Sequence, residues 1–156
     1  GRDEIIYREK YMIRKFENSD IDDVMQIWQN ENIQAHNFIP KEYWESNYEY
    51  VKKLLPNSKI YVYIENDKIE GFIGINEDYI EGIFVNSNYQ NKGIGTALLN
   101  KAKEGKEELT LNVYEKNREA IKFYEKNGFK IVKEAVDKEN NEKEFRMIWN
   151  KGDLKC

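Results

Sequence analysis

Apolar residues recur along this chain at two spacings, and each spacing predicts a different kind of element. Every second residue is apolar over 60–64 and 109–113, which predicts strands with one buried face. Every third or fourth residue is apolar over 21–28 and 44–55, which predicts amphipathic helices. The predicted strands cover 12–16, 60–64, 69–75, 79–85, 109–113, 129–136 and 144–149, and the predicted helices cover 21–29, 40–55, 94–102 and 117–127. The predicted order is therefore βααβββαβαββ.

Local signals predict where the helices begin and end. The run SDID at 19–22 predicts a capping box for the first helix, and the polar stretch 30–37 predicts its end. Pro40 suits the first turn of the second helix, because its fixed φ is compatible with helix and its missing N–H is not needed there. Asn117 is expected to cap the fourth helix, and Gly128 to end it in a left-handed conformation.

The order of the elements predicts how the strands pair. A strand, a glycine turn, a helix and a strand, over 79–113, form a crossover unit that should be parallel. The other connections are short turns and predict antiparallel neighbours. We therefore expect an α/β (α+β) fold, a mixed and mainly antiparallel sheet of about seven strands flanked by four helices. Residues 12–150 are expected to form a single domain, with 1–11 as an extension and 151–156 as a tail.

Composition narrows the possible functions. The chain has 156 residues and a formal net charge of −4, and the acidic balance argues against a nucleic-acid partner. His36 is the only histidine and Cys156 the only cysteine, so we expect no metal centre and no covalent cysteine mechanism. No apolar run is long enough for a membrane span, and no signal peptide is recognisable at the start. These features predict a cytoplasmic protein without a membrane partner.

Two blocks of the sequence carry candidate chemistry. The first, VNSNYQNKGIG at 85–95, joins the fourth strand to the third helix. Glycines without a Cβ let a ligand approach backbone amides at a helix start, where an anion is stabilised, so this loop predicts a diphosphate site. A glycine-capped loop with no ligand is the alternative. The second block, NREAIKFYEKNGF at 117–129, contains the pair Phe123-Tyr124, for which the residues alone favour an ordinary packed aromatic pair over a catalytic tyrosine.

Together the two blocks resemble the GNAT superfamily of acetyl-coenzyme A dependent N-acetyltransferases. The family patterns are Gln/Arg-x-x-Gly-x-Gly/Ala and Asn-x-x-Ala-x-x-Phe-Tyr-x-x-x-Gly-Phe, and every position of both is present here. The resemblance runs from about residue 12 to about residue 149. It implies acetyl-coenzyme A as co-substrate and an amine as acceptor. It also implies that strands four and five splay apart around the pantetheine arm.

The resemblance assigns roles to particular residues. Tyr124 is the expected general acid toward the coenzyme sulfur. Backbone groups of Ile83, Phe84 and Val85 are expected to pair with pantetheine amides, and one N–H there could stabilise the oxyanion. The remaining expected cofactor contacts are Gln90, Asn91, Lys92, Gly93, Ile94, Gly95, Thr96 and Asn117.

The base is where the sequence departs from the family pattern. Many members carry a glutamate at the position occupied here by Tyr79, so Glu81, two residues further along the strand, becomes the candidate base. A solvated carboxylate is the alternative role for Glu81. Tyr79, His36, Phe38 and Trp44 are expected to border the acceptor site. Hydrophobic core beneath a loop is the alternative for Phe38 and Trp44, and a structural hydrogen bond is the alternative for His36.

The stretch AHNFI at 35–39 followed by Tyr43-Trp44 resembles small stand-alone bacterial GNAT proteins, some of them considered protein lysine acetyltransferases. The sequence thus predicts direct acetyl transfer to a primary amine in a ternary complex. The acceptor remains open between small molecules, protein lysine and a protein N-terminus, and the assembly between monomer and homodimer. A non-catalytic acyl-coenzyme A sensor is the competing function.

Overall fold

The computed structural model describes residues 11–155. The predicted extension lies outside the described residues, apart from Tyr11. Cys156, for which no covalent mechanism was expected, also lies outside them. The strands are β1 (Tyr11–Lys15), β2 (Lys59–Glu65), β3 (Lys68–Asn76), β4 (Tyr79–Val85), β5 (Glu108–Tyr114), β6 (Lys130–Asp137) and β7 (Glu142–Asn150). The α-helices are α1 (Ile21–Ala35), α2 (Lys41–Leu54), α3 (Ile94–Lys103) and α4 (Arg118–Lys126). This order confirms the predicted βααβββαβαββ.

The described strands form one sheet in the order β1-β2-β3-β4-β5-β7-β6. Neighbouring strands are antiparallel except β4 and β5, which run parallel because α3 crosses over between them. The predicted mixed, mainly antiparallel sheet of seven strands with four helices is therefore confirmed.

Each face of the sheet is covered by its own pair of helices, because apolar side chains alternate along the strands. On β2, Val62 points to one face and Tyr61 to the other. The first face packs against α1 and α2, with buried Val24, Met25, Trp28, Trp44, Ile60 and Phe72. The second packs against α3 and α4, with buried Leu98, Leu99, Leu111, Tyr124, Met147 and Trp149. No helix among residues 11–155 combines the length and apolar character needed to span a bilayer.

Helix α1 begins at Ile21 as predicted, but its N-terminal cap and its C-terminal end differ from the prediction. The predicted capping box over 19–22 is wrong, because a 3-10 turn (Asn18–Asp20) precedes the helix. The Asp20 carboxylate instead accepts the Glu17 N–H at 2.8 Å and both terminal nitrogens of Arg14 at 2.8 and 3.0 Å. This pairing lowers the pKa of Asp20. At the other end, the helix continues through polar residues to Ala35, since Glu31 is buried there.

The other predicted boundaries are closer to the structure. The Asn117 Oδ1 accepts the Ala120 N–H at 3.3 Å, which confirms the cap of α4. Gly128 has φ +94 and ends the helix in the predicted left-handed conformation. The predicted tail differs, because Lys151–Lys155 form a 3-10 helix and the Lys151 N–H donates to the Glu107 carbonyl at 2.8 Å.

Strands β4 and β5 diverge after a short stretch of pairing. Only Tyr79 with Thr110 and Ile80 with Leu111 are paired. At the same point β4 contains a β-bulge, since Gly74 pairs with Gly82 whereas Ile75 pairs with Ile80, which leaves Glu81 as the extra residue. A bulge bends its strand and increases the local twist. The bend occurs where pairing with β5 stops, and the predicted splay is present.

Candidate active site

A cleft of about 1030 Å³ fills the splay between β4 and β5 and continues to both faces of the sheet. One end reaches the loop before α3 and the start of α4. The other end reaches the segment between α1 and α2. Almost all predicted site residues line it: Ile83, Phe84, Val85, Gln90, Asn91, Gly93, Ile94, Gly95, Thr96, Asn117 and Tyr124 toward the loop, and His36, Phe38, Trp44, Tyr79 and Glu81 toward the helices.

Lys92 is the predicted site residue that does not line the cleft. Its ammonium lies over the ring of Tyr89, with Nζ 5.1 Å from the ring centroid. The sequence placed it beside the anion because of its position in the motif. The side chain instead turns back onto the loop.

The loop before α3 has the geometry of an anion site. Asn91 and Gly93 have φ +66 and φ +84, in the left-handed region, and Gly93 directly precedes the first residue of α3. A Cβ on Gly95 would lie 3.0 Å from the Phe123 ring, so the glycine permits close packing of α3 against α4. The free N–H groups at the start of α3 and the helix dipole favour a negatively charged group there.

Two buried carboxylates hold this loop from behind. Glu31 of α1 accepts the Ser87 N–H at 3.2 Å, the Ser87 hydroxyl at 2.8 Å and the Gln90 Nε2 at 2.9 Å. Glu70 of β3 accepts the Asn86 Nδ2 at 3.0 Å. The Gln90 amide nitrogen also donates to the Val85 carbonyl at 3.0 Å, so this group shapes the loop rather than facing an anion.

Sequence reasoning missed both carboxylates. A signal for Glu31 was nevertheless present, because it follows Val24 and Trp28 on the apolar face of α1. A charged residue in such a position is buried only when it is paired or hydrogen-bonded.

The bulge fixes which backbone groups of β4 face the cleft. The Asn86 N–H donates to the Glu70 carbonyl of β3 at 2.8 Å. Along an antiparallel pair such bonds alternate, so Phe84 also pairs with β3, whereas Ile83 and Val85 direct their N–H and C=O groups toward the splay. The prediction that the Phe84 backbone pairs with a ligand is therefore wrong. Phe84 still lines the cleft.

Tyr124 lies on α4 at the centre of the cleft. It is 8% exposed, and its hydroxyl makes no hydrogen bond with any described residue. Burial, and then the neighbouring Tyr79, raise the pKa of the Tyr124 phenol. The phenol therefore stays protonated at neutral pH and is able to donate a proton or hydrogen bond.

His36 and Asn117 join the two ends of the cleft. The Asn117 Nδ2 lies 3.3 Å from the His36 Nε2. Because an amide nitrogen is a donor, this contact assigns the acceptor role to Nε2 and the proton to Nδ1. Burial lowers the pKa of His36 to about 4, so the ring is neutral at physiological pH. Its Nδ1 is buried without a partner among the described residues.

Aromatic rings form the wall of the end beside α2. The His36 ring stacks on Trp44 with centroids 5.3 Å apart, and its edge meets Tyr114 at 5.2 Å. Phe38 contacts the same Tyr114 ring at 5.6 Å. The Tyr114 hydroxyl donates to Asp137 at 2.5 Å, and Tyr43 donates to Glu139, so the turn between β6 and β7 is fixed against this wall.

Two carboxylates border this end. Glu81 is exposed and accepts a hydrogen bond from the Ser58 hydroxyl. Both Tyr79 and Glu81 line the cleft as predicted, although the bulge rather than simple alternation positions Glu81. Glu144 of β7 is half-buried and also lines the cleft. The sequence analysis missed it, because Glu144 alternates with Phe145, Met147 and Trp149, which face the core, and so fits the pattern of an ordinary solvent-facing strand residue.

The comparisons with known proteins agree with this geometry. The Acetyltransferase (GNAT) domain family matches residues 56–131. The chain is 32% identical over 140 residues to the peptidyl-lysine N-acetyltransferase YiaC of Escherichia coli K12, an alignment that covers 88% of this chain and 96% of YiaC. The solution structure of apo YjaB from Escherichia coli superposes with a TM-score of 0.80 at 25% identity, covering 89% of this chain and 97% of YjaB.

A third comparison concerns the fold. The PaiA N-acetyltransferase of Thermoplasma acidophilum, solved in complex with coenzyme A, superposes with a TM-score of 0.76 at 24% identity, covering 90% of this chain and 98% of PaiA. Three findings agree: the nearly full-length match to YiaC, the domain match across the glycine loop and the common fold. This chain is an enzyme of the GNAT family of N-acetyltransferases.

Proposed function

We propose that this enzyme transfers an acetyl group from acetyl-coenzyme A to a primary amine by direct attack in a ternary complex. One observation carries the proposal: a single cleft connects an amide-lined anion loop to a buried, protonated Tyr124 and then to an aromatic wall bordered by carboxylates. The three parts match the diphosphate, the thioester sulfur and a cationic acceptor. The coenzyme A in the PaiA complex supports the choice of co-substrate.

The cofactor end of the cleft provides the binding groups. Amides of residues 91–96 would face the pyrophosphate, and the backbone of Ile83 and Val85 would pair with the pantetheine arm. Because the register with β3 directs the N–H groups of Ile83 and Val85 toward the splay, one of them can stabilise the oxyanion that develops on the thioester carbonyl. Asn117 would contact the coenzyme while it caps α4.

Tyr124 would act as the general acid. The attacking amine nitrogen forms a bond to the carbonyl carbon, the C–S bond breaks, and the Tyr124 hydroxyl gives its proton to the departing thiolate. The phenol recovers a proton from the nitrogen of the intermediate or from solvent. Its raised pKa keeps it protonated until the sulfur needs the proton.

The acceptor end favours an amine on a flexible apolar stem. An aliphatic chain would lie along the rings of His36, Phe38 and Trp44, and its ammonium would approach the Tyr79 ring. A lysine side chain has this form, and YiaC is named a peptidyl-lysine N-acetyltransferase. We therefore propose protein lysine as the first acceptor class to test.

The test measures thiol release from acetyl-coenzyme A with a panel of amines that includes lysine peptides, spermidine and an aminoglycoside. We expect turnover with at least one lysine peptide and binding of coenzyme A by calorimetry. Binding without thiol release from any amine would instead indicate an acyl-coenzyme A sensor. No heat of binding at millimolar coenzyme A would contradict both functions.

A further inference from the structure

The carboxylates that line the cleft differ in how they are engaged. They are Glu31, Glu81, Glu119 and Glu144. Glu31 holds the anion loop, Glu81 is hydrogen-bonded to Ser58, and Glu119 is exposed in the first turn of α4. Glu144 is half-buried and makes no hydrogen bond or ion pair with any other residue in the part of the chain that the structure describes. An uncommitted, partly buried carboxylate is free to interact with a substrate.

Strand register places Glu144 at the acceptor end. Glu144 of β7 is directly opposite Tyr114 of β5, whose ring contacts His36 and Phe38. Cross-strand partners share a face of the sheet, so Glu144 lies beside the aromatic wall. This face is opposite the one on which Met147 and Trp149 pack against α3 and α4.

Electrostatic contacts connect Glu144 with the proposed acid. The charge of Glu144 is, after burial, the main influence that raises the pKa of Tyr79, and Tyr79 in turn raises the pKa of Tyr124. All three side chains line the cleft. An amine held near Tyr79 would have a carboxylate on one side and the phenol that serves the sulfur on the other.

The surroundings make Glu144 a better proton acceptor than an ordinary glutamate. Burial and the nearby Asp137 of β6 raise its pKa, while Arg146 of β7 opposes them. The Arg146 Nε already donates to the Asn112 Oδ1 at 3.2 Å. The other titratable groups that face this region are Tyr114 of β5, Tyr79 of β4, His36 after α1, Lys116 after β5 and, beyond Tyr79, Glu81.

We infer that Glu144, rather than Glu81, is the catalytic base that takes the proton from the acceptor ammonium. This inference rests on the proposed acetyl transfer and deepens it. The R–NH₃⁺ group gives one proton to the Glu144 carboxylate, and the resulting R–NH₂ forms the new C–N bond as the C–S bond breaks. The second proton on nitrogen replaces the one that Tyr124 gives to the thiolate. Glu144 then releases its proton to solvent.

The test compares Glu144→Gln with the matched Glu81→Gln, using acetyl-coenzyme A and a lysine peptide that the wild type accepts. At pH 7 we expect kcat/KM to fall about 100-fold for Glu144→Gln, within the usual range for a general base, and less than threefold for Glu81→Gln. Glu144→Asp should recover part of the activity. Thermal unfolding and calorimetry with coenzyme A should match the wild type, which separates a lost base from a damaged fold.

The pH profile gives a readout that a structural role would not change. Wild-type kcat/KM should fall at acid pH as Glu144 becomes protonated. For Glu144→Gln it should rise about tenfold per pH unit up to the pKa of the amine, since only amine already deprotonated in solution reacts. Glu81→Gln should keep the wild-type profile.

The outcomes separate this inference from the proposed function. If Glu144→Gln retains wild-type kcat/KM, Glu144 is not the base, although acetyl transfer stands. A large loss in Glu81→Gln alone would move the role to Glu81. A wild type that binds coenzyme A and releases no thiol with any amine would overturn transfer and the base together.

Discussion

The two ends of the cleft differ in how completely their polar groups are satisfied. At the cofactor end, buried Glu31 and Glu70 accept hydrogen bonds from the loop, so its shape is built before any ligand arrives. At the acceptor end, buried His36 Nδ1 and Trp44 Nε1 have no partner among the described residues, and Glu144 makes no pairing there. The end that binds the cofactor can be rigid, because its ligand is always the same. The end where protons are transferred needs polar groups that are not already hydrogen-bonded within the protein.

The largest expected effect lies where the two ends meet. Tyr124→Phe removes only the hydroxyl, so kcat should fall about 1000-fold, within the range for loss of a general acid. The dissociation constant of coenzyme A should stay within about twofold, which steady-state kinetics and calorimetry would measure. Tyr61→Phe, in the same core but outside the cleft lining, is the matched control. Unchanged turnover in Tyr124→Phe would remove this residue from the mechanism.

The next effect tests the unsatisfied acceptor end through stability. Burial lowers the pKa of His36 to about 4, below its ordinary value, so the folded state favours the neutral ring. This stability is fully present above about pH 6.5 and is lost as the pH falls toward 4, where the loss reaches about 3 kcal/mol. Denaturant unfolding at pH 7 and pH 4 should show a smaller acid loss in His36→Gln than in the wild type. Equal losses would mean that His36 is not held neutral.

The rigid cofactor end is tested with Glu31→Ala. The substitution leaves the Ser87 N–H without its acceptor and removes one of the two acceptors of the Ser87 hydroxyl and of the Gln90 Nε2, at a cost of about 1–3 kcal/mol. We expect affinity for coenzyme A to fall about tenfold by calorimetry, with little change in kcat at saturating cofactor. Exposed Glu45→Ala on α2 is the control and should bind as the wild type does. An unchanged affinity in Glu31→Ala would show that the loop keeps its shape without this carboxylate.

The smallest effect separates backbone shape from side-chain space in the same loop. Gly93 has φ +84, and a Cβ added to it would meet no atom within 4 Å, so Gly93→Ala suffers only from conformation. The expected cost is about 1 kcal/mol in thermal stability, with a few-fold loss in cofactor affinity. Gly93→Asn should recover part of both, because asparagine tolerates the left-handed region. If alanine and asparagine behave alike, the left-handed conformation is not what the loop requires.

Much of the fold followed from local rules, and the exceptions have physical causes. Alternation and helical spacing report burial one residue at a time, which was enough for the strands and for the two blocks that surround Gly93 and Tyr124. The end of α1 was missed because Glu31 is buried by pairing with the distant Ser87 and Gln90. Long-range partners of this kind leave no mark on neighbouring residues in the sequence.

The candidate site shows the same limit. The motifs indicated which residues approach a cofactor. The direction of their backbone N–H and C=O groups depends on strand pairing, however, and those of Phe84 point to β3. The Lys92 side chain points away from the cleft, and its ammonium lies over the Tyr89 ring. Glu144 lies 20 residues beyond Tyr124 in sequence and enters the site only through its register with Tyr114.

The bulge in β4 implies that chain length, more than chemistry, matters at position 81. Glu81 is the extra residue of the bulge and has no pairing partner on β3. Deleting it would therefore leave each later residue of β4 on its present side of the sheet. Without the bulge, however, the strand would no longer bend, and its pairing with β5 could continue past Ile80. Deleting this one residue should thus give a well-folded protein in which the gap between β4 and β5 is closed. Substituting almost any amino acid at position 81 should keep the gap open.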